Sequence, residues 1–140
     1  MRAMGVEIGR IQPEVTNFNQ ADTLMHPNIC SFTKSVLEDV LAGDYEGVVL
    51  TTCCDSIRRL YDVLKQQCPD KFLYLLDVPR KVNDFSTDMY RENILDMVHA
   101  YEAFSGKTFD EIVLKQLLER REAGQNLRTA PKIRLPCISV

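Results

Sequence analysis

Apolar and polar positions follow two periods along this chain, one typical of strands and the other typical of helices. Short apolar runs predict strands at residues 5–11, 47–52, 71–77 and 132–135. Apolar residues three and four positions apart predict helices at residues 32–41, from about 57 to 67, 86–104 and 108–121. The stretch 12–29 is rich in amides and contains prolines, so it is predicted to form a loop.

The alternation of strands and helices predicts an α/β fold with a parallel sheet and right-handed crossovers. We expect a three-layer, Rossmann-like arrangement, in which helices flank the sheet and the first strand lies at an edge. Thr108 and Glu111 have the spacing of a capping box and are expected to open the last helix. Residues 1–123 are interpreted as one lobe, and residues 124–140 as a tail or the start of a second lobe.

Composition narrows the classes of function. The 140 residues suffice for one domain and carry a formal net charge of −3, which argues against a nucleic-acid partner. No run approaches the roughly 20 apolar residues of a membrane span, and the first ten residues do not resemble a signal peptide. We therefore expect a cytoplasmic protein with neither a membrane nor a nucleic acid as partner.

The five cysteines do not suggest a disulfide framework, because their number is odd and two are adjacent. Cys30 and Cys54 each precede a predicted helix, and Cys54 directly follows the strand region. Parallel sheets bind ligands beyond the carboxyl ends of their strands, so both thiols are expected near that edge. Helix N-termini favour anions there, including thiolates and cluster sulfurs. Buried packing cysteines remain the alternative.

The other cysteines are given structural interpretations. Cys68 follows the second predicted helix and is expected about 18 Å from Cys54, at the opposite edge. If Cys54 faces the ligand crevice, Cys53 should face the helical layer, because neighbours in extended backbone point oppositely. Cys137 lies in a tail that the pattern does not place.

Polar residues beside Cys30 and Cys54 have two interpretations each. Asp55 or Ser56 is expected to cap the second helix rather than to act as an acid or base. Ser31, Arg58 and Arg59 are candidate contacts to an anion such as the phosphates of coenzyme A. The two arginines occupy a first helical turn, where positive charge is unfavourable without an anion, although a solvated helix face explains them equally well.

Three motifs occur in order: Cys30 to Ser35 (CSFTKS), Thr51 to Asp62 (TTCCDSIRRLYD) and Leu75 to Lys81 (LLDVPRK). Together they resemble the family of 2-hydroxyacyl-CoA dehydratases and benzoyl-CoA reductases over about residues 3–123. The resemblance implies that Cys30 and Cys54 bind a four-iron four-sulfur cluster. It also implies that an ATP-driven activator protein passes one electron through the clustered subunits to an acyl-CoA, forming a ketyl radical anion. A second dehydratase subunit is a further expected partner.

The chain differs from that family's pattern in length. Family subunits are longer, and a further cysteine ligand, absent from this chain, comes from a second α/β lobe. A strand expected before residue 1 is also missing. The leading hypothesis is an iron–sulfur lyase subunit, or a fragment of one, acting on an acyl-CoA. The alternatives are a benzoyl-CoA-reductase-type subunit, a non-catalytic fragment with the family fold, and a module that binds an anionic nucleotide.

Overall fold

The computed structural model describes residues 1–122 and 132–136, and these residues form a parallel sheet flanked by helices. Four strands in this part of the chain lie in the order β1–β4–β2–β3. Their bounds are Glu7–Ile11 (β1), Gly47–Thr51 (β2), Phe72–Leu76 (β3) and Lys132–Pro136 (β4). All neighbouring strands pair in parallel, so the predicted α/β class with a parallel sheet is confirmed.

Five α-helices connect these strands within the described residues, after a short 3₁₀ turn at Arg2–Met4. Their bounds are Asn19–Leu24 (α1), Ser31–Ala42 (α2), Asp55–Gln67 (α3), Asp84–Ser105 (α4) and Glu111–Glu122 (α5). The helices α2 to α5 match the predicted ones within a few residues at each end. The first strand lies at an edge of the sheet, as predicted.

Strand β2 separates two hydrophobic cores, and all five of its residues are buried. Val48 and Leu50 pack in one core with apolar residues of α2 and α3, whereas Val49 packs in the other core with Val98 and Tyr101 of α4. Side chains of a strand alternate between its two faces, so helices cover this strand on both faces. The last residue of β2, Thr51, lies beside the N-termini of α2 and α3.

Helix α1 was not predicted, since residues 12–29 were interpreted as a loop. Its N-cap, Phe18, makes no side-chain capping bond. Instead, a carboxylate oxygen of Glu38 in α2 accepts hydrogen bonds from the backbone N–H groups of Gln20 (2.7 Å) and Ala21 (2.8 Å). A distant side chain therefore supplies the cap that the local sequence lacks.

The predicted capping box of α5 is wrong. The carboxylate of Asp110 accepts hydrogen bonds from the N–H groups of Ile112 (2.8 Å) and Val113 (3.3 Å), so Asp110 caps a helix that begins at Glu111. Aspartate competes well for this position, because its short carboxylate reaches the free N–H groups of the first turn. Thr108 lies before the helix.

The strand predicted at 132–135 is present, and it lies between β1 and β2. Its register pairs Glu7 with Lys132 and Val48 with Arg134. The proposed division of the chain at residue 123 stays a prediction.

Candidate functional site

Cys30 and Cys54 lie at the N-termini of neighbouring helices. Each is the N-cap residue of its helix, Cys30 for α2 and Cys54 for α3, and both side chains are exposed. The two cysteines line one cavity of about 100 Å³ at the carboxyl end of β2. The other lining residues are Phe32, Thr33, Thr51, Cys53 and Ile57. The structure therefore brings together the two thiols that the sequence placed at this edge.

Cys53 lines the same cavity, contrary to its expected orientation toward the helical layer. That expectation assumed extended backbone through Cys54, but β2 ends at Thr51 and the chain turns at Thr52 and Cys53. Strand alternation no longer applies in this turn, so two adjacent residues can line one cavity. Cys53 is exposed and is a candidate site residue that periodicity missed.

The thiol of Cys30 interacts with the hydroxyl groups of two residues, Thr33 and Ser56. Its sulfur lies 3.1 Å from the Thr33 hydroxyl oxygen. Partial burial raises the pKa of the Cys30 thiol, but hydrogen bonds involving Thr33 and Ser56 outweigh that effect, and the pKa lies below its ordinary value. Ser56 belongs to the first turn of α3, so this contact links the starts of two helices. The arrangement favours a thiolate, the form that binds metals.

Ser56 and Thr33 therefore have roles that sequence reasoning missed. Neither Asp55 nor Ser56 caps α3 through its side chain, because Cys54 is the N-cap and makes no side-chain capping bond. Their expected capping role is wrong. The spacing of Thr33 could have predicted its contact with Cys30, because a residue three positions after a helix N-cap lies within reach of the capping side chain.

The three candidate anion contacts lie near the cavity without lining it. Ser31 is the first residue of α2, and Arg58 and Arg59 lie in the first turns of α3; all three are exposed. The guanidinium of Arg59 lies 3.4 Å from the carboxylate of Asp62, and both side chains are more than half exposed. Arg58 is thus the better placed of the two arginines to contact a dissolved anion.

Cys68 is buried and directly follows α3, at the end of the helix remote from Cys54. Cys68 was expected to be a surface or packing cysteine away from the site, and the structure shows that it packs. Cys137 lies outside the described residues.

The donor set of the cavity has a distinct chemistry. Three cysteines line it, together with two threonines and two apolar residues, and neither an acidic residue nor a histidine is among its lining residues. Thiolates are soft ligands that select iron–sulfur clusters, zinc and copper(I) over magnesium or calcium. In residues 1–122 and 132–136, no three cysteine, histidine or acidic side chains meet at the spacing of a single metal ion. Cysteine is the residue type that most often holds an iron–sulfur cluster, so the residues lining the cavity have the donor chemistry of such a group.

No helix in the described part of the chain is both long and apolar enough to cross a membrane.

Comparison with known proteins adds one finding. The family model described as "2-hydroxyglutaryl-CoA dehydratase, D-component" matches residues 1–130, a span that contains the whole cavity and agrees with the resemblance drawn from the three motifs. A search of curated proteins found no match.

Proposed function

This chain belongs to the 2-hydroxyglutaryl-CoA dehydratase D-component family, and from that membership we propose that it is an iron–sulfur subunit, or a lobe of one, of an ATP-activated 2-hydroxyacyl-CoA dehydratase. The observation that carries the proposal is the meeting of Cys30 and Cys54 at one cavity beyond the carboxyl end of β2. The lobe is proposed to be a three-layer, Rossmann-like unit. The packing of β2 between two helical cores supports this architecture.

In the proposed site, the thiolates of Cys30 and Cys54 bind irons of a four-iron four-sulfur cluster. The hydroxyls of Thr33 and Ser56 orient the Cys30 sulfur and stabilise its negative charge. Free backbone N–H groups in the first turns of α2 and α3 favour an anionic cluster in the same way. Phe32 and Ile57 supply apolar walls, which reduce contact between the cluster and water.

When bound, the cluster supplies the single electron that reduces the thioester carbonyl of an acyl-CoA substrate. The proposed partners are that acyl-CoA, a second dehydratase subunit and an ATP-dependent activator protein, and the proposed compartment is the cytoplasm. Arg58, exposed close to the N-terminus of α3, is proposed to contact an anionic group such as a coenzyme A phosphate.

Anaerobic reconstitution of the full chain with ferrous iron and sulfide tests the proposal. We expect the wild-type chain to acquire iron, sulfide and the broad visible absorption of a cluster, and Cys30→Ala and Cys54→Ala variants to lose them. Cys68→Ala is the matched control, because Cys68 lies at the other end of α3. Equal iron uptake by all four proteins, or none by any, would overturn the proposal.

A second candidate is a module that binds an anion without redox chemistry, and the paired helix N-termini favour it. A wild-type chain that acquires no iron but binds a nucleotide, with weaker binding by Arg58→Ala, would support this alternative.

A further inference from the structure

Three cysteines line the cavity, although only two have been assigned a role. We infer that Cys53 is a third cysteine ligand that this chain supplies to the cluster. The inference rests on the proposed function and goes beyond it, because the family resemblance assigns only Cys30 and Cys54 here and takes a further ligand from a second lobe.

The first argument is the path of the backbone. Because β2 ends at Thr51, Cys53 and Cys54 lie in a turn rather than on opposite faces of a strand. Cys54 then begins α3 as its N-cap. Both adjacent side chains therefore line the cavity that Cys30 reaches from α2.

The second argument is that Thr52 fixes this turn to the end of β3. Its N–H donates to the carbonyl of Leu76 (3.0 Å), which continues the strand pairing by one residue. Its hydroxyl donates to the carboxylate of Asp77 and accepts from the N–H of Val78 (3.3 Å). A turn held by three such bonds presents Cys53 and Cys54 from a defined position, as a binding site requires.

The third argument is the chemistry of the side chain. Cys53 is exposed and free, and none of the hydrogen bonds or ion pairs of the described residues uses its thiol. Its replacement therefore removes little packing, which separates a role in binding from a role in folding. Cys53 lines a cavity with two other cysteines and with no acidic residue or histidine, and a thiolate in such surroundings is a ligand for soft metals.

Cysteines of a four-iron cluster bind different irons, so they surround the cluster instead of converging on one point. On binding, the Cys53 thiol loses its proton and its sulfur bonds to iron. Three thiolates from one chain would hold the cluster without a cysteine from another lobe.

The test compares cluster retention in the reconstituted full chain. The variants are Cys53→Ala and Cys53→Ser, and Cys68→Ala is the control. We expect Cys53→Ala to lose iron to a chelator roughly tenfold faster than the wild type, since even residues behind metal ligands alter affinity by about that factor. The electron paramagnetic resonance spectrum of the reduced cluster should also change in both Cys53 variants and stay unchanged in Cys68→Ala.

The outcomes distinguish this inference from the proposed function. If Cys30→Ala and Cys54→Ala bind no cluster while Cys53→Ala matches the wild type in chelation rate and spectrum, the proposed function stands and the role of Cys53 is refuted. If the wild type itself acquires no cluster, both are refuted. Far-ultraviolet circular dichroism of each variant establishes that the compared chains are folded.

Discussion

Glu38 should be among the most sensitive polar positions of this fold, because it caps a helix other than its own. Its side chain is buried, and one carboxylate oxygen accepts from the N–H groups of both Gln20 and Ala21. Helix α1 has six residues and no local side-chain cap. A helix this short is unstable without tertiary contacts, so α1 depends on this carboxylate.

The cost of removing the carboxylate follows from its two partners. In a Glu38→Leu variant, the N–H of fully buried Ala21 loses its acceptor, which costs about 2 kcal/mol. The N–H of Gln20 is nearer to solvent and can bind water, so its loss adds about 1 kcal/mol. The expected total is about 3 kcal/mol of unfolding free energy, or a decrease in Tm of roughly 6–12 °C. Glu38→Gln keeps an acceptor oxygen and should cost about 1 kcal/mol.

Urea unfolding followed by circular dichroism measures these differences, and amide hydrogen exchange at Ala21 reports the cap directly. Glu92→Leu is the control, because Glu92 is exposed on α4 and has no hydrogen-bond or ion-pair partner among the described residues. The reasoning fails if Glu38→Leu and Glu92→Leu unfold within about 0.5 kcal/mol of each other, the usual range of surface substitutions.

Three further predictions concern the stability of the fold. Burial and the hydrogen bond to Glu46 raise the pKa of Tyr101 to about 12. Because the native state then retains this proton to higher pH than the unfolded chain, the free energy of unfolding should decrease by up to about 3 kcal/mol between about pH 10 and 12. The Tyr101→Phe variant should lack this decrease in urea titrations at different pH values. An equal decrease in the variant would refute the linkage. A Cβ atom on Gly47 would lie 2.6 Å from both the Cβ atom and the carbonyl oxygen of Phe72. Gly47→Ala should therefore lower the free energy of unfolding by about 2 kcal/mol or more. A urea midpoint equal to that of the wild type would contradict this close approach. Asn83 caps α4, because its side chain accepts a hydrogen bond from the N–H of Ser86 at 2.7 Å. Urea unfolding should show that Asn83→Ala lowers the free energy of unfolding by about 1 kcal/mol and that Asn83→Asp changes it little. Equal decreases in the two variants would exclude the capping bond as the cause.

The sequence was sufficient for the parts of the fold that local patterns determine. The β-branched run from Gly47 predicted a buried strand, and apolar spacing predicted the helices on either side of it. The position of Cys30 and Cys54 before helices, combined with the rule for parallel sheets, placed both thiols at one edge. Each of these inferences needs only short-range periodicity and the geometry of one type of sheet.

Other features depend on contacts between residues distant in sequence. The Glu38 carboxylate that caps α1 lies 17 positions beyond Ala21, and the Ser56 hydroxyl that influences the Cys30 thiol belongs to another helix. To predict the placement of Cys53, the last residue of β2 must be known to within one position, and a periodic pattern does not locate the end of a strand that accurately. No local pattern distinguishes a tail strand from one that enters the middle of the sheet, so the place of β4 was not foreseen.

The insertion of β4 between β1 and β2 has a consequence for how the chain acquires its structure. Residues 7 and 132 are partners across 125 positions, so the bonds that attach the first strand to the rest form only after the segment that contains β4 has been synthesised. Until then, β1 and β2 each present an unpaired edge to solvent, the kind of surface that pairs wrongly with other chains. The sheet of a newly made chain thus stays divided until the segment that contains β4 joins β1 to β2.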